Sequence, residues 1–462
     1  MSAQAPPVRL PAVFDAFAVG SPVSVIARGT VERFLNPELL DGWFAANANG
    51  QYTRKVLFST LVHLTANVVI GSRKSVHAAY EATPEQMGGS IVAVYEKLKN
   101  IDPATSAALV RFAAAEAVST IRGLNGEPQP LLPGYRVKLL DGNCLATSHK
   151  RIKELRGLKA GPLPGKSLVV LDPVLRLPLD VFPCEDGHTQ ERALLQEVLP
   201  TVTAGDVWIA DRNFCTRSFL AGIAAKEACF FIIRQHGNLP TEVVTECKAA
   251  GKGPTGTLSE QEVEVLHESG ERQVLRRVLV HVEKKTRDGD DYIAILTNLP
   301  NDIDASQIAS LYRDRWKIET AFHELAMHLR SEIDTLGYPR AALFGFCVAL
   351  VCYIVMAVLK GALEAVHGPG TILNLSNYFL ADELEGTERG MDIAIPVKHW
   401  KVFRKLTQAE FAAALLALAA AVNMRRFRKA PSRPRKKQVE RLDQPSSTHV
   451  STARILALRK RQ

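Results

Sequence analysis

Apolar and polar positions alternate in three different rhythms along this chain. Residues 1–128 keep a helical one. Ser21-Pro22-Val23 leads into VSVIARGTVERFL, Tyr52–Ile70 is apolar at helical spacing, and Ser75–Ala82 and Ile91–Leu98 follow. Asp102-Pro103 opens a further helix through Ile121, with Pro in a first-turn position that needs no N–H. From residue 130 the apolar runs shorten and fill with β-branched residues between Gly and Pro. Tyr135–Leu140, Ser167–Leu171 and Leu175–Phe182 predict strands, Thr189–Val198 a helix, Asp206–Ala210 a strand and Arg217–Lys226 a helix. Residues 229–302 predict Cys229–Arg234, Gln261–Leu266, Val274–Val282 and Tyr292–Leu296 as strands, joined by the turn-rich GKGPTG and KKTRDGDD. Helical spacing then returns, in Leu311–Glu332, Ala341–Leu359, Ile372–Leu380 and Ala409–Val422.

The Leu311–Glu332 stretch, LYRDRWKIETAFHELAMHLRSE, predicts one amphipathic helix. Ile308, Leu311, Ile318, Phe322, Leu325 and Leu329 form its apolar stripe. Tyr312, Arg315, Glu319, His323 and Arg330 fall near one line on the opposite side, next to Trp316. A surface helix laced with i,i+4 ion pairs would carry such a line. A functional site would carry it too, and the residues upstream choose between them.

The spacing Tyr-x2-Arg-x3-Glu, within YRDRWKIE, resembles the signature of bacterial insertion-sequence transposases of the DDE class, and more narrowly the insertion sequence 4 family. Tyr312, Arg315 and Glu319 match it; the Lys that the family places seven residues after the Glu is Ala326 here. Asp141 ends the apolar run of VKLLDGN and Asp211 follows that of DVWIADRNFCT, and both segments resemble those of the family's first two catalytic Asp residues. With TNLP at 297–300, the resemblance covers roughly Tyr52 to Lys360.

The resemblance implies an α/β fold: an RNase H-like catalytic core with a β-rich insertion, flanked by helical regions. The expected domains are a helical DNA-binding domain at 1–128, the core at 129–228 and 303–366, the β insertion at 229–302, and a helical region at 367–424. A basic, disordered tail is expected at 425–462. It implies that Asp141, Asp211 and Glu319 are catalytic and bind two Mg2+ ions, for which Mn2+ substitutes. Oxygen ligands suit these cations, and two such ions promote in-line attack at phosphorus. Tyr312 and Arg315 would hold a DNA phosphate, Arg as a fork and Tyr by its hydroxyl. Arg234, in FFIIRQH, matches an Arg common in the insertion. The implied partners are double-stranded DNA, at terminal inverted repeats and at the target, and a second copy of the chain in a synaptic complex. The implied place is the bacterial cytoplasm, at the nucleoid when bound to DNA.

Charge sharpens this picture. Of a formal +9, eight positive charges sit in Arg425–Lys437, RRFRKAPSRPRKK, so the rest of the chain is near neutral at +1. Arg425, Arg426, Arg428 and Lys429 begin that run and are expected to add sequence-independent phosphate contacts. Arg54, Lys55, Arg73 and Lys74 lie near predicted helix ends and suit either a DNA groove or an ordinary helical surface. Seven scattered Cys with no CxxC pair fit a reducing compartment and argue against zinc. The N-terminus has no charged segment followed by a sustained apolar run, so no signal peptide is expected.

Ala341–Leu359 is uncharged and long enough to span a bilayer. Following an active-site helix directly, it is read as a buried core helix, with no membrane partner. GPLPGKS at 161–167 fails as a phosphate loop because residue 160 is Ala, and Lys166 is left as a surface or DNA-facing side chain. Asp172, Asp180, Glu185, Asp186 and Glu191 are read as turn or surface acids. Two functional readings remain, an active transposase and a non-cleaving DNA-binding regulator of transposase descent. Ala326 is the argument for the second. Arg330, with His323 assisting, is the candidate replacement for the missing cation.

Overall fold

The structure is a computed structural model of the 462-residue chain. It describes residues 10–48, 50–51, 55–84, 87–125, 129–145, 163–267, 270–283, 285–286 and 289–430. The described residues from Leu10 to Arg428 form one compact unit, and Lys429 and Ala430 fall outside it.

Ten strands build a single mixed sheet: β1 (Arg136–Leu145), β2 (Gly165–Asp172), β3 (Leu177–Cys184), β4 (Asp206–Ala210), β5 (Phe230–Arg234), β6 (Glu242–Val243), β7 (Lys248–Gly253), β8 (Gly256–Leu266), β9 (Arg272–Val282) and β10 (Tyr292–Thr297). The spatial order is β3-β2-β1-β4-β5-β10-β9-β8-β6, with β7 on β8. Strands β1, β4 and β5 are parallel, and β2 pairs antiparallel with β1 on one side and with the edge strand β3 on the other. This is the RNase H-like arrangement that the resemblance implied. All five residues of β4 are buried, as a central parallel strand covered on both faces requires. Alternate side chains feed two apolar cores: Leu139, Val169 and Ile209 on one face, Leu140, Val170 and Trp208 on the other.

The β-rich segment does not stand apart. Strand β5 belongs to the core, and β10 pairs with it at Ile295–Arg234, so the sheet runs unbroken into the long β8–β9 hairpin. The terminal helical regions are likewise joined. Helix Pro339–His367 packs on β2 and β3 and on helices Pro22–Phe34, Phe58–Val69, Ile91–Asn100, Pro103–Asn125 and Gln408–Ala420. Of its most apolar 18-residue window, 89% is buried inside the chain. Phe14 meets Trp400 edge-on at 4.9 Å, and Arg33 donates to the Phe403 and Leu406 carbonyls.

Several predicted elements differ. Leu311–Glu332 is two helices, Ala305–Arg313 and Trp316–His328. Between them Arg315, Lys317 and Ile318 bond three residues back, to Tyr312, Asp314 and Arg315, so one overwound turn separates them. Such a turn advances the chain only slightly faster than an α-turn, which is why the periodicity reads straight through it. The predicted Thr189–Val198 helix is a 3-10 turn, Glu191–Leu194, followed by a single helical turn, Leu195–Val198. Ile372–Leu380 divides into Gly370–Leu373 and Asn377–Ala394. The longer of these buries Leu380, Leu384 and Met391 along one face, and ion pairs tie its polar flanks: Glu383 to Arg426, Glu385 to Arg330, Glu388 and Asp392 to Arg28.

The basic tail begins later than expected. Met424–Phe427 is a 3-10 turn with Phe427 buried and its carbonyl accepting from Ser376 N–H, while Arg428 forms a β-bridge with Leu375. Arg426 reaches Glu383 at 3.1 Å. Arg425, Arg426 and Arg428 therefore start in packed structure; residues 431–437 of the run, like Arg54, lie outside the described residues.

Glu388 on helix Asn377–Ala394 and His63 on helix Phe58–Val69 are largely enclosed titratable groups that share Arg28 as a neighbour and have opposed leanings. Burial pushes the His63 imidazole down to about 4, helped by Arg28 and Arg404. Burial pushes the Glu388 carboxyl up to about 7, against the pull of Arg28. An unfolded His takes a proton below about 6.5 that folded His63 refuses, so its contribution to stability is lost as pH falls toward 4. An unfolded Glu releases its proton above about 4.5 while folded Glu388 keeps it, so its cost to stability disappears over nearly the same fall. Each shift is worth about 2 kcal/mol between pH 7 and pH 5, and in the parent they offset. Urea denaturation should show His63→Gln gaining stability across that fall relative to the parent, and Glu388→Gln losing it. Parallel curves for parent and variants would refute the assignment.

Candidate active site

The sheet register brings the first two acids together. The β1–β4 pairing ends with Leu140 opposite Ala210, so Asp141 and Asp211 are the next residue on each parallel strand. By strand alternation both leave the sheet on the face of Leu139 and Ile209. Asp141 accepts from its neighbour Gly142 N–H at 2.9 Å, and Asp211 from Asn213 N–H at 2.7 Å, capping the 3-10 turn Arg212–Phe214.

Glu319 arrives on the Trp316–His328 helix, which packs against β1 and buries Ile318 fully. Arg315, in the overwound turn, ties the two elements together. Its Nη1 is 2.6 Å from Glu319 Oε1 and 3.5 Å from Asp141 Oδ2. The guanidinium also lies over Trp316, 5.6 Å from the ring centroid. Trp316 is 62% exposed, large for an indole, beside a half-buried ion pair.

The electrostatics are those of gathered acids. Burial pushes the Asp141 carboxyl up to about 7. Gly142 N–H and Arg315 oppose the rise, and Asp211 and Glu319 add to it. Burial also raises the Tyr312 hydroxyl against the pull of Arg315 and Arg234, which places Tyr312 in the same field. Three carboxylates in mutual repulsion are an all-oxygen donor set that suits Mg2+ or Mn2+. Among the described residues no group of three or more His, Cys, Asp or Glu is drawn to metal-holding distance. Arg315 is the cation that neutralises Asp141 and Glu319 here.

The other sequence candidates are spread around this centre. Arg234 ends β5 and pairs with Asp290 at 3.1 Å. His323 and Ala326 lie on the Trp316–His328 helix, and both are exposed. Arg330 is not on that helix, which stops at His328. With φ at 38° it turns away and pairs with Glu385 at 3.1 Å, so the shared helical line that made it a replacement for the missing Lys does not exist. Lys166 lies inside β2 and is 7% exposed, open to neither solvent nor DNA. Four of the five rival acids have local duties. Asp172 accepts from Val174 and Leu175 N–H, Asp180 pairs with Arg111, Glu185 with Arg340, and Asp186 accepts from His188 N–H.

Two features of the site escape sequence reading. Glu191 accepts from the Asn213 side chain at 2.6 Å, beside the Asp211 turn. Glu324, one turn and a half past Glu319, accepts from Tyr353 at 3.0 Å and Lys360 at 3.3 Å, anchoring the Glu319 helix to the buried helix. Lys360 is the available signal: a single Lys deep in an apolar helix needs a buried acid.

Residues 135–355 match the family described as Transposase DDE domain. The candidate transposase y4zB of Sinorhizobium fredii (strain NBRC 101917 / NGR234) is 27% identical over 161 residues, 34% of this chain and 43% of that protein. The chain thus spans less than half the length of the curated relative it matches. Among solved structures, a piggyBac transposase synaptic complex with hairpin DNA aligns over 86% of each chain, with a TM-score of 0.38 and 10% identity.

Proposed function

We propose, from the premise that residues 135–355 are a transposase DDE domain, that the protein is a transposase that cleaves DNA at insertion-sequence ends and joins the freed 3′-OH to a target. The observation that carries this reading is the adjacency of Asp141 and Asp211 at paired strand ends, with Glu319 tied to Asp141 through Arg315. Asp141, Asp211 and Glu319 would hold two Mg2+ ions, or Mn2+ in their place. Such ions activate an attacking oxygen and stabilise a leaving one in an in-line displacement. Arg315 is placed to exchange its carboxylate partners for a DNA phosphate, onto which it can fork. Tyr312 and Arg234 lie in the same field and are read as phosphate contacts. His323 is read as a DNA contact on the outer side of its helix. Two copies would pair in a synaptic complex, in the bacterial cytoplasm at the nucleoid.

End-labelled DNA carrying the flanking inverted repeats, incubated with protein and Mg2+, tests the reading. Nicks bearing a free 3′-OH, abolished by a chelator, are expected. Sequence-specific binding with no nick under any divalent cation would sink it and favour the regulator, for which exposed Ala326 and the occupied Arg330 speak.

The basic run from Lys429 onward is read as a phosphate-binding tail. Deleting residues 429–462 should weaken binding to all DNA sequences alike. It should also flatten the slope of log K against log salt, by about 0.9 for each phosphate no longer neutralised. Filter binding across a salt series reads this directly, and an unchanged slope would mean that the tail does not touch DNA.

A further inference from the structure

We propose that Glu191 is a positioning residue for the candidate active site, one that holds the Asp211 turn in register with Asp141. The inference rests on the reading of Asp141 and Asp211 as catalytic. The β1–β4 ladder ends at Leu140 and Ala210, one residue short of both acids. Beyond it β1 continues to Leu145 against β2, while the other strand leaves the sheet into the Arg212–Phe214 turn. The ladder therefore delivers the two acids side by side, but no ladder hydrogen bond holds Asp211 itself against Asp141.

Glu191 spans that gap. Its Oε2 accepts from Asn213 Nδ2 at 2.6 Å, and Asn213 is the residue whose N–H caps Asp211. Its carboxylate also lies against Gly142, the residue whose N–H binds Asp141; a Cβ on Gly142 would collide with Oε1 and Cδ. One carboxylate thus touches the backbone partner of each catalytic Asp. The two turns that make the bridge are themselves anchored, by Leu194 and Phe214 in the same apolar core. That core lies on the face of Leu140, opposite the face from which Asp141 and Asp211 project. Glu191 braces the pair from behind and is not a further member of it. The sequence DGN in β1 fits this: a side chain at 142 would exclude the brace.

The test compares Glu191→Ala, Glu191→Gln and Gly142→Ala in the full chain, by amide hydrogen exchange and by Mn2+ binding. Glu191→Ala should speed exchange at residues 211–214 by about tenfold, the factor that one hydrogen bond to a charged group is worth. It should weaken Mn2+ binding by about tenfold to a hundredfold, as removal of a ligand's supporting hydrogen bond does. Glu191→Gln keeps an acceptor for Asn213 and should restore both readouts. Gly142→Ala should reproduce Glu191→Ala, and the double variant should be no worse than either. Unchanged exchange and Mn2+ binding in Glu191→Ala would overturn the proposal. So would a Gln variant as poor as the Ala one, since charge rather than the bond would then be at work. If the parent itself binds no Mn2+ while Glu191→Ala still loosens 211–214, the brace stands and the metal-dependent function falls.

Discussion

Replacing Asp141, Asp211 or Glu319 singly with Ala should cut strand cleavage by at least about 100-fold while leaving binding to transposon-end DNA near the parent level. The factor is of the size seen when a group stabilising transition-state charge is removed. The three acids share one field, with Asp211 and Glu319 both raising Asp141. Loss of one therefore dismantles the donor set rather than subtracting a share of it. DNA contacts are assigned to other side chains, Tyr312, Arg315 and Arg234 among them, so binding should persist. Gel-shift and nicking assays on the same labelled fragment separate the two. A variant that nicks like the parent in Mg2+ would remove its residue from the site.

Lys360→Ala should destabilise the fold by about 3 kcal/mol, the usual cost of leaving one partner of a buried ion pair uncompensated. The Lys360 side chain is 8% exposed and that of Glu324 17%, so solvent does little to screen either. The stranded group is on the Glu319 helix, so the loss should appear at the site as well as in the urea midpoint. Glu324→Gln together with Lys360→Met removes both charges and should recover most of the loss, although the Tyr353 hydroxyl keeps a polar partner only through the Gln. A single variant as stable as the parent would show that the pair does not hold the helix.

The parts of this molecule that can be read in the sequence are those where one physical signal dominates. Strand β4 is an unbroken apolar run ending at an Asp, and its predicted and observed bounds coincide at Asp206–Ala210. The long apolar helix is visible in length and hydropathy, and its neighbours are not. The Leu311–Glu332 stretch misleads because hydrophobic period is nearly blind to one overwound turn. That turn places Arg315, and the helix end at His328 releases Arg330 to Glu385. Helix Asn377–Ala394 extends well past its predicted end: its buried stripe of Leu380, Leu384 and Met391 is sparse, and the charges between these residues pair with distant elements, which a local apolar pattern does not show. Glu191 has no distinguishing local signal at all. Its role follows from where two strand ends stop pairing, a property of the register rather than of any stretch of residues.

The union of the two chain ends has a consequence for how the protein is made. Phe14 packs on Trp400, Arg33 binds the Leu406 carbonyl, and Ser24 approaches the Glu383 carbonyl at 3.5 Å. Contacts between residues so far apart cannot form until the Glu383–Leu406 stretch has left the ribosome. At about 5–20 residues per second, the stretch from Phe14 to Trp400 takes roughly 20–80 s to make. Until residue 367 has emerged, the apolar faces of Pro22–Phe34 and Phe58–Val69 have no Pro339–His367 helix to cover them. Apolar surface left uncovered in this way is prone to aggregate, so a message truncated before Pro339 should yield an aggregating fragment rather than a smaller folded domain.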